Sequence, residues 1–195
     1  MNPSFLFIVP TLNSYLLLPK LLQTLDEQHF QSWRLIFIDG PSNVDHRQWL
    51  DAVCASDHRY SWFSQPSDHL GIFGAMNMGF SFARGDEWVL FWGSDDWAAS
   101  PHVLAAVISA IQSADRLLDL VVCRGRYADA STAALGRTTS FQPEGLFDSA
   151  AYRRALWFGS TPPHQATLFG PGVRFKLGHY SQDFLLSADL DYFLQ

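Results

Sequence analysis

The chain has 195 residues, a formal net charge of −6, two cysteines, 48% hydrophobic residues and 15% aromatic residues. That much apolar content can fill the core of a single domain spanning 1–195 and excludes a disordered chain. The acidic balance excludes the clustered Lys and Arg of a nucleic-acid-binding surface. No stretch reaches the roughly 20 apolar residues of a membrane helix.

Cys54 and Cys123 sit in apolar surroundings without metal-ligand spacing. They read as reduced core thiols, which points to a cytoplasmic location. The first apolar run, Phe5 to Val9, has no basic region before it and reads as a buried strand rather than a signal peptide. Pro10 to Ser14 is a turn, and a helix starts near Leu18 with Pro19 in its first turn, where a missing N–H costs little. Leu18, Leu21, Leu22 and Leu25 give that helix an apolar stripe.

Trp33 to Ile38 is a second strand, Asp45 to Ala55 a helix and Tyr60 to Ser64 a weaker third strand. Ile72 to Ala83 is helical. Trp88 to Trp92 is an unbroken apolar run, too short for a buried helix and suited to a strand covered on both faces. Ser100 and Pro101 read as the N-cap and first residue of a further helix, and Leu118 to Cys123 as a fifth strand. This alternation predicts an α/β fold with a mostly parallel sheet and helices on both faces. Beyond residue 125 the pattern weakens: an exposed strand over Ala134–Phe141, a short helix over Asp148–Leu156, a strand over Gln165–Phe169 and a last helix over Ser187–Leu194.

Polar groups gather where the strands end. Thr11 and Asn13 follow the first strand, Asp39 ends the second, Asp68 follows the third, and Asp95 and Asp96 follow the fourth. Any one has an ordinary explanation, since Asp39-Gly40 is a common turn pair and Asn13 can cap a helix. Together they occupy the carboxyl edge of a parallel sheet, where open α/β sheets bind ligands. Two adjacent carboxylates can hold one Mg²⁺ or Mn²⁺ whose other ligands are phosphate and water. A nucleotide diphosphate fits such an edge.

The segments Val9-Pro10-Thr11-Leu12-Asn13, Asp39-Gly40, Ser67-Asp68, Gly71 to Gly79, Gly93-Ser94-Asp95-Asp96, Pro163 to Thr167 and Ala188-Asp189-Leu190-Asp191 resemble, in order, the motifs of the family 2 glycosyltransferases of the GT-A fold, of the bacterial polysaccharide-biosynthesis type. The resemblance runs from Phe5 to Leu194. It implies inverting transfer of a sugar from a nucleotide-diphosphate donor, UDP-type, to a saccharide or lipid-linked acceptor, with Mg²⁺ or Mn²⁺ as cofactor. It divides the chain into a donor-binding half, 1–125, and an acceptor-side half, 126–195.

On this resemblance Thr11, Asn13, Asp39, Asp68, Asn77 and Asp95 contact the donor, Asp96 binds the metal and Asp189 is the catalytic base. His164 contacts the acceptor or the diphosphate; a structural hydrogen bond is the other reading. Asn77 either touches the donor or holds the pocket loop. Membrane association at the inner face stays open. Gly74 stands in place of an acid, Gly93 in place of an Asn, and Gln195 in place of an Arg, and the helices that usually follow are absent. A non-catalytic nucleotide-sugar-binding domain is one alternative. A sugar nucleotidyltransferase is the other, although residues 10–14 lack the glycines and the base that hold a triphosphate.

Overall fold

The computed structural model describes residues 3–68, 71–129, 134–177, 179–184 and 186–195. The first part alternates β1 (Ser4–Thr11), α1 (Leu18–Asp26), β2 (Trp33–Asp39), α2 (Val44–Ser56), β3 (Tyr60–Ser64), α3 (Ile72–Ser81), β4 (Glu87–Phe91), α4 (Val103–Ser113) and β5 (Leu120–Val122). There follow β6 (Arg126–Ala128), β7 (Leu135–Thr138), α5 (Ser149–Trp157), a 3-10 turn at His164–Ala166, β8 (Thr167–Phe169), α6 (Pro171–Lys176) and α7 (Ala188–Leu194).

The main sheet has the order β3-β2-β1-β4-β8-β5. Its first four strands are mutually parallel, and β8 runs antiparallel between β4 and β5. The strands β6 and β7 form a separate antiparallel ribbon. The fold is the expected mostly parallel α/β sheet with a small antiparallel addition.

Strand alternation divides the core in two. Phe5, Phe7 and Val9 of β1 join Leu18, Leu21 and Leu25 of α1, Leu50 of α2 and Leu104 and Val107 of α4 on one face. Leu6 and Ile8 join Ala75, Met76 and Phe80 of α3 and Tyr192 and Phe193 of α7 on the other. All five residues from Phe5 to Val9 are fully buried. At about 1.5–3 kcal/mol for each such side chain relative to exposure, β1 is the thermodynamic spine of the sheet.

At the amino end of β4, Glu87 is buried and accepts from Arg34 Nε at 2.6 Å and Nη2 at 2.8 Å, reaching across β1 to β2. Burial alone would raise its carboxyl. The Arg34 guanidinium and the Arg84 N–H, 2.6 Å away, outweigh that and hold it below the usual range.

Two expectations need correction, and two short elements were not expected. The helix α4 begins at Val103 with His102 at its N-cap, so Ser100 does not cap it. Buried Gln28 takes that function from another element: its Oε1 accepts from Leu104 N at 3.1 Å while its Nε2 donates to Ser100 O at 2.8 Å. The strand expected over Gln165–Phe169 is confined to β8, because His164–Ala166 turns as a 3-10 segment. β6 and α6, of three and six residues, went unread.

Gly79 sets how closely α3 approaches β1. A Cβ there would lie 2.3 Å from Ile8 Cγ2, well inside contact distance. Gly79→Ala is expected to lower unfolding free energy by about 1–3 kcal/mol in urea denaturation, as overpacking does. The Ile8→Ala background should absorb part of that cost, and strict additivity of the two changes would contradict this packing.

Candidate active site

The parallel strands end together because register aligns them: Thr11 pairs with Asp39, and Asp39 with Ser64. The Thr11 hydroxyl donates to Asp39 Oδ1 at 3.2 Å, and Ser42 Oγ donates to the same oxygen at 2.6 Å. Arg47 Nε donates to Oδ2 at 3.1 Å. His46, in the first turn of α2, brings Nε2 to 3.2 Å from Oδ1, although neither ring nitrogen has hydrogen-bond geometry. Burial pushes the His46 imidazole down, against the raising influence of Asp39. The Asp39 carboxylate is completely closed to solvent and is the anchor of this side of the rim.

Asn13 has φ 52°, in the left-handed region that Asn tolerates better than most residues. That conformation lets its N–H donate to Ser42 Oγ at 2.9 Å and its Oδ1 accept from Asn43 N at 2.8 Å. Asn43 in turn caps α2 through His46 N. The loop after β1 is thereby fastened to the loop after β2. It is also fastened to the loop after β4, where Ser14 Oγ and Ser94 Oγ are 2.7 Å apart.

The paired acids follow β4. Trp92, buried against Phe7 at 4.8 Å between centroids, bonds to Ile8 O through its N–H and to Gln165 O through Nε1. It is a core residue, as its apolar context suggested. Gly93 then turns the chain, and its N–H donates to Asp96 Oδ2 at 2.6 Å. Asp95 is exposed and Asp96 half-buried. Burial, with the Asp95 charge adding to it and the Gly93 N–H opposing it, raises the Asp96 carboxyl to about 6. A side chain at Gly93 would crowd both acids, since a Cβ would lie 2.9 Å from Asp95 Oδ1 and 3.3 Å from Asp96 Oδ2. Lys20 lies 4.0 Å over the ring of the neighbouring Trp97.

His164 and Tyr180 gather around Phe91, the last residue of β4. His164 stacks on it at 5.4 Å, and its Nε2 is 2.9 Å from Tyr180 Oη. Burial lowers the imidazole to about 4, so it is neutral near pH 7, while the Asp189 charge works in the other direction. Asp189 also acts on Tyr180, whose hydroxyl burial raises well above its ordinary value. Asp189 lies at the start of α7, within electrostatic range of the His164–Tyr180 pair, and its Oδ1 accepts from Leu190 N at 2.9 Å.

Asn77 on α3 clamps this assembly. Its Nδ2 donates to Tyr180 O at 2.9 Å and its Oδ1 accepts from Tyr180 N at 2.8 Å. Both its amide nitrogen and its amide oxygen are thus engaged with the Tyr180 backbone. Likewise the Nε2 of His164 is committed to Tyr180. Asp68 is exposed in the turn after β3 and is not joined to the rim by any of these bonds. Gly74 is buried in α3, and Gln195 Nε2 donates to Asp191 Oδ2.

Sequence reading missed Ser42, His46, Arg47 and Tyr180. The first three lie three, seven and eight residues beyond Asp39, so an acid at a strand end with polar residues on the next helix turn was an available signal. Tyr180 lies in a stretch without periodicity and offered none.

The family model for glycosyl transferase family 2 matches residues 6–169. The chain belongs to glycosyl transferase family 2. A PGL/p-HBAD biosynthesis glycosyltransferase of Mycobacterium tuberculosis is 30% identical over 190 residues, covering 97% of this chain and 68% of the relative. Among solved structures, Staphylococcus aureus TarS in complex with UDP-GlcNAc aligns with TM-score 0.74 at 17% identity, covering 98% of this chain and 52% of that one. The mannosyltransferase PcManGT of Pyrobaculum calidifontis, in complex with GDP-Man and Mn²⁺, aligns with TM-score 0.64 at 16% identity over 94% of this chain and 49% of that one. The family 2 chain has the GT-A fold and spans about half the length of these structures.

The neutral state of His164 has a pH signature. Its folded value near 4 lies below the ordinary 6.5, so between those limits the unfolded chain binds more protons and stability falls as pH drops. His164→Gln should lose less unfolding free energy than the wild type between pH 6.5 and 4, read from urea midpoints; an equal or steeper loss would contradict the buried neutral imidazole.

Proposed function

We propose that this family 2 member is an inverting glycosyltransferase that moves a sugar from a nucleotide-diphosphate sugar to an acceptor hydroxyl. The observation that carries the reading is the Asp95–Asp96 pair at the carboxyl end of β4, with Asp96 held half-buried and raised to about 6. A carboxyl in that condition is short of a positive partner, and a divalent cation supplies one. Among the described residues there is no group of three or more His, Cys, Asp and Glu that could hold an ion by itself. This fits a cation shared with a diphosphate, since Mg²⁺ and Mn²⁺ sites of that kind use one or two carboxylates and take the rest from phosphate and water. When bound, the ion would supply charge neutralisation for the departing diphosphate.

Asp96 would bind the ion, and Asp95, exposed beside it, would accept from ribose or sugar hydroxyls. Thr11 and Asn13 would form the floor of the nucleotide pocket, with Asp68 at its margin. Asp39 would reach a base only after Arg47, whose side chain is 42% exposed, gives up its bond to Oδ2. TarS with UDP-GlcNAc and PcManGT with GDP-Man support a nucleotide-sugar donor, UDP-type here.

In the transfer step the acceptor hydroxyl gives its proton to Asp189. Its oxygen bonds to the anomeric carbon from the face opposite the diphosphate. The carbon–oxygen bond to the diphosphate breaks, and its electron pair leaves with the diphosphate, so configuration inverts. His164, neutral and fixed by Tyr180, would border the acceptor without competing for that proton. The acceptor would be a saccharide or lipid-linked hydroxyl in surface-glycan synthesis.

Asp96→Ala is expected to abolish the metal dependence of donor binding. Asp189→Asn should leave donor binding intact and lower kcat by about 10²–10⁴-fold, the usual contribution of a general base. Calorimetric binding and product assays on the same preparations separate the two. Loss of donor binding in the Asp189 variant would overturn the division of roles.

A further inference from the structure

The exposed face of α5 carries a feature that sugar transfer does not use. Trp157 is 86% exposed and Phe158, the residue after it, 70%. Single exposed apolar residues are ordinary, whereas two adjacent large aromatics fully presented to water mark a contact surface. Arg153 and Arg154 stand one helical turn earlier, at the spacing that puts each beside one of these rings, and both are exposed. The opposite face of α5 is packed: Ala155 is buried, Leu156 joins the Tyr192–Phe193 cluster, and Tyr152 Oη donates to Phe193 O at 3.0 Å.

Charge decides what kind of surface this is. Residues 124–160 carry five arginines against three carboxylates, a local balance of +2 in a chain whose total is −6. Two of those carboxylates are committed elsewhere. Glu144 is paired with Arg124, and Asp148 caps α5 by accepting from Ala150 N and Ala151 N. Arg153 and Arg154 are in none of the ion pairs found among the described residues; the Arg153 charge is felt at the exposed Asp148 cap. The preceding ribbon repeats the pairing of cation and aromatic, with the Arg137 guanidinium 5.0 Å over the exposed Tyr127 ring.

We infer that the α5 face docks on an anionic lipid bilayer, with Trp157 and Phe158 entering the headgroup–acyl boundary and Arg153 and Arg154 on the phosphates. Trp and Arg suit that boundary because each presents an apolar body and a polar end. A second copy is a poor occupant, since a two-fold contact would set the arginines of one copy against those of the other. An acidic protein could satisfy the arginines but has no claim on the two rings beyond that of any interface. The buried face of α5 packs on α7, through Tyr152 Oη donating to Phe193 O and Leu156 against the Tyr192–Phe193 cluster, and α7 is the helix that carries Asp189 in its first turn. The delivery of a lipid-borne hydroxyl that this implies rests on the transferase reading; the bilayer contact itself does not.

The test is co-sedimentation of the chain with phosphatidylcholine vesicles, either pure or about one-third phosphatidylglycerol, at about 0.1 M salt, where screening is moderate. Binding to the anionic vesicles alone is expected. Arg153→Glu/Arg154→Glu should weaken it at least ~25-fold, at about fivefold per guanidinium near such a surface. Trp157→Ser/Phe158→Ser should weaken it about as much, and Leu16→Ser, at a residue 78% exposed elsewhere, should not. Thermal midpoints confirm that each variant folds. Indifference of the wild type to anionic vesicles, or equal binding by the α5 variants, would overturn the inference. So would self-association in vesicle-free buffer that Trp157→Ser/Phe158→Ser abolishes, which would make a second copy the occupant. None of these outcomes bears on donor binding.

Discussion

A carboxylate drawn partly out of water, with a second one beside it and a single backbone N–H for company, is costly to keep ionised. The Gly93 N–H holds the Asp96 carboxyl in that position, and burial together with Asp95 raises it to about 6. Its sign is opposite to the usual carboxylate: between the ordinary 3.8 and about 6 the folded chain binds more protons, so this group's contribution to stability is lost as pH rises through that window. A divalent cation is the partner that the proposed function assigns to this carboxyl. The sugar-transfer account depends on that tension.

The remaining architecture holds other groups around it. Register between parallel strands brings Thr11 and Asp39 to one level, and β4 ends beside them. The bonds from Asn13 to Ser42 and Asn43, and from Ser14 to Ser94, convert three neighbouring loop ends into one rim. On α3, the Asn77 amide bonds through both its nitrogen and its oxygen to the backbone of Tyr180, whose hydroxyl in turn meets His164. A wide groove of about 1250 Å³ along the β5 edge, bordered by Leu117, Phe141 and Phe193, includes none of the rim acids. Concavity alone would therefore have pointed away from this rim.

The parts of the fold legible in the sequence were those set by local pattern. Phe5–Val9 and Trp88–Trp92 are unbroken apolar runs and Trp33–Ile38 is broken only by Arg34; such runs suit a doubly covered strand, and the polar residues after them fell at the sheet's carboxyl edge. What was not legible depended on partners distant in sequence. Nothing near Thr167–Phe169 says that three residues insert antiparallel between β4 and β5. The Ser100-Pro101 pair looked like a helix start until Gln28 supplied the bonds that displaced it. Asn13, Asn77 and His164 were found as motif residues, but their geometry came from Ser42, Asn43 and Tyr180, which carry no motif of their own.

The most direct measurement is isothermal titration of UDP into the wild-type chain with and without Mn²⁺, at about pH 7.5 and about pH 5, on either side of the Asp96 carboxyl. The account predicts binding that needs Mn²⁺ at the higher pH, and a metal-dependent gain about tenfold smaller for each unit below 6 as protons compete for the carboxylate. UDP binding of equal strength with and without Mn²⁺ at both pH values would contradict it.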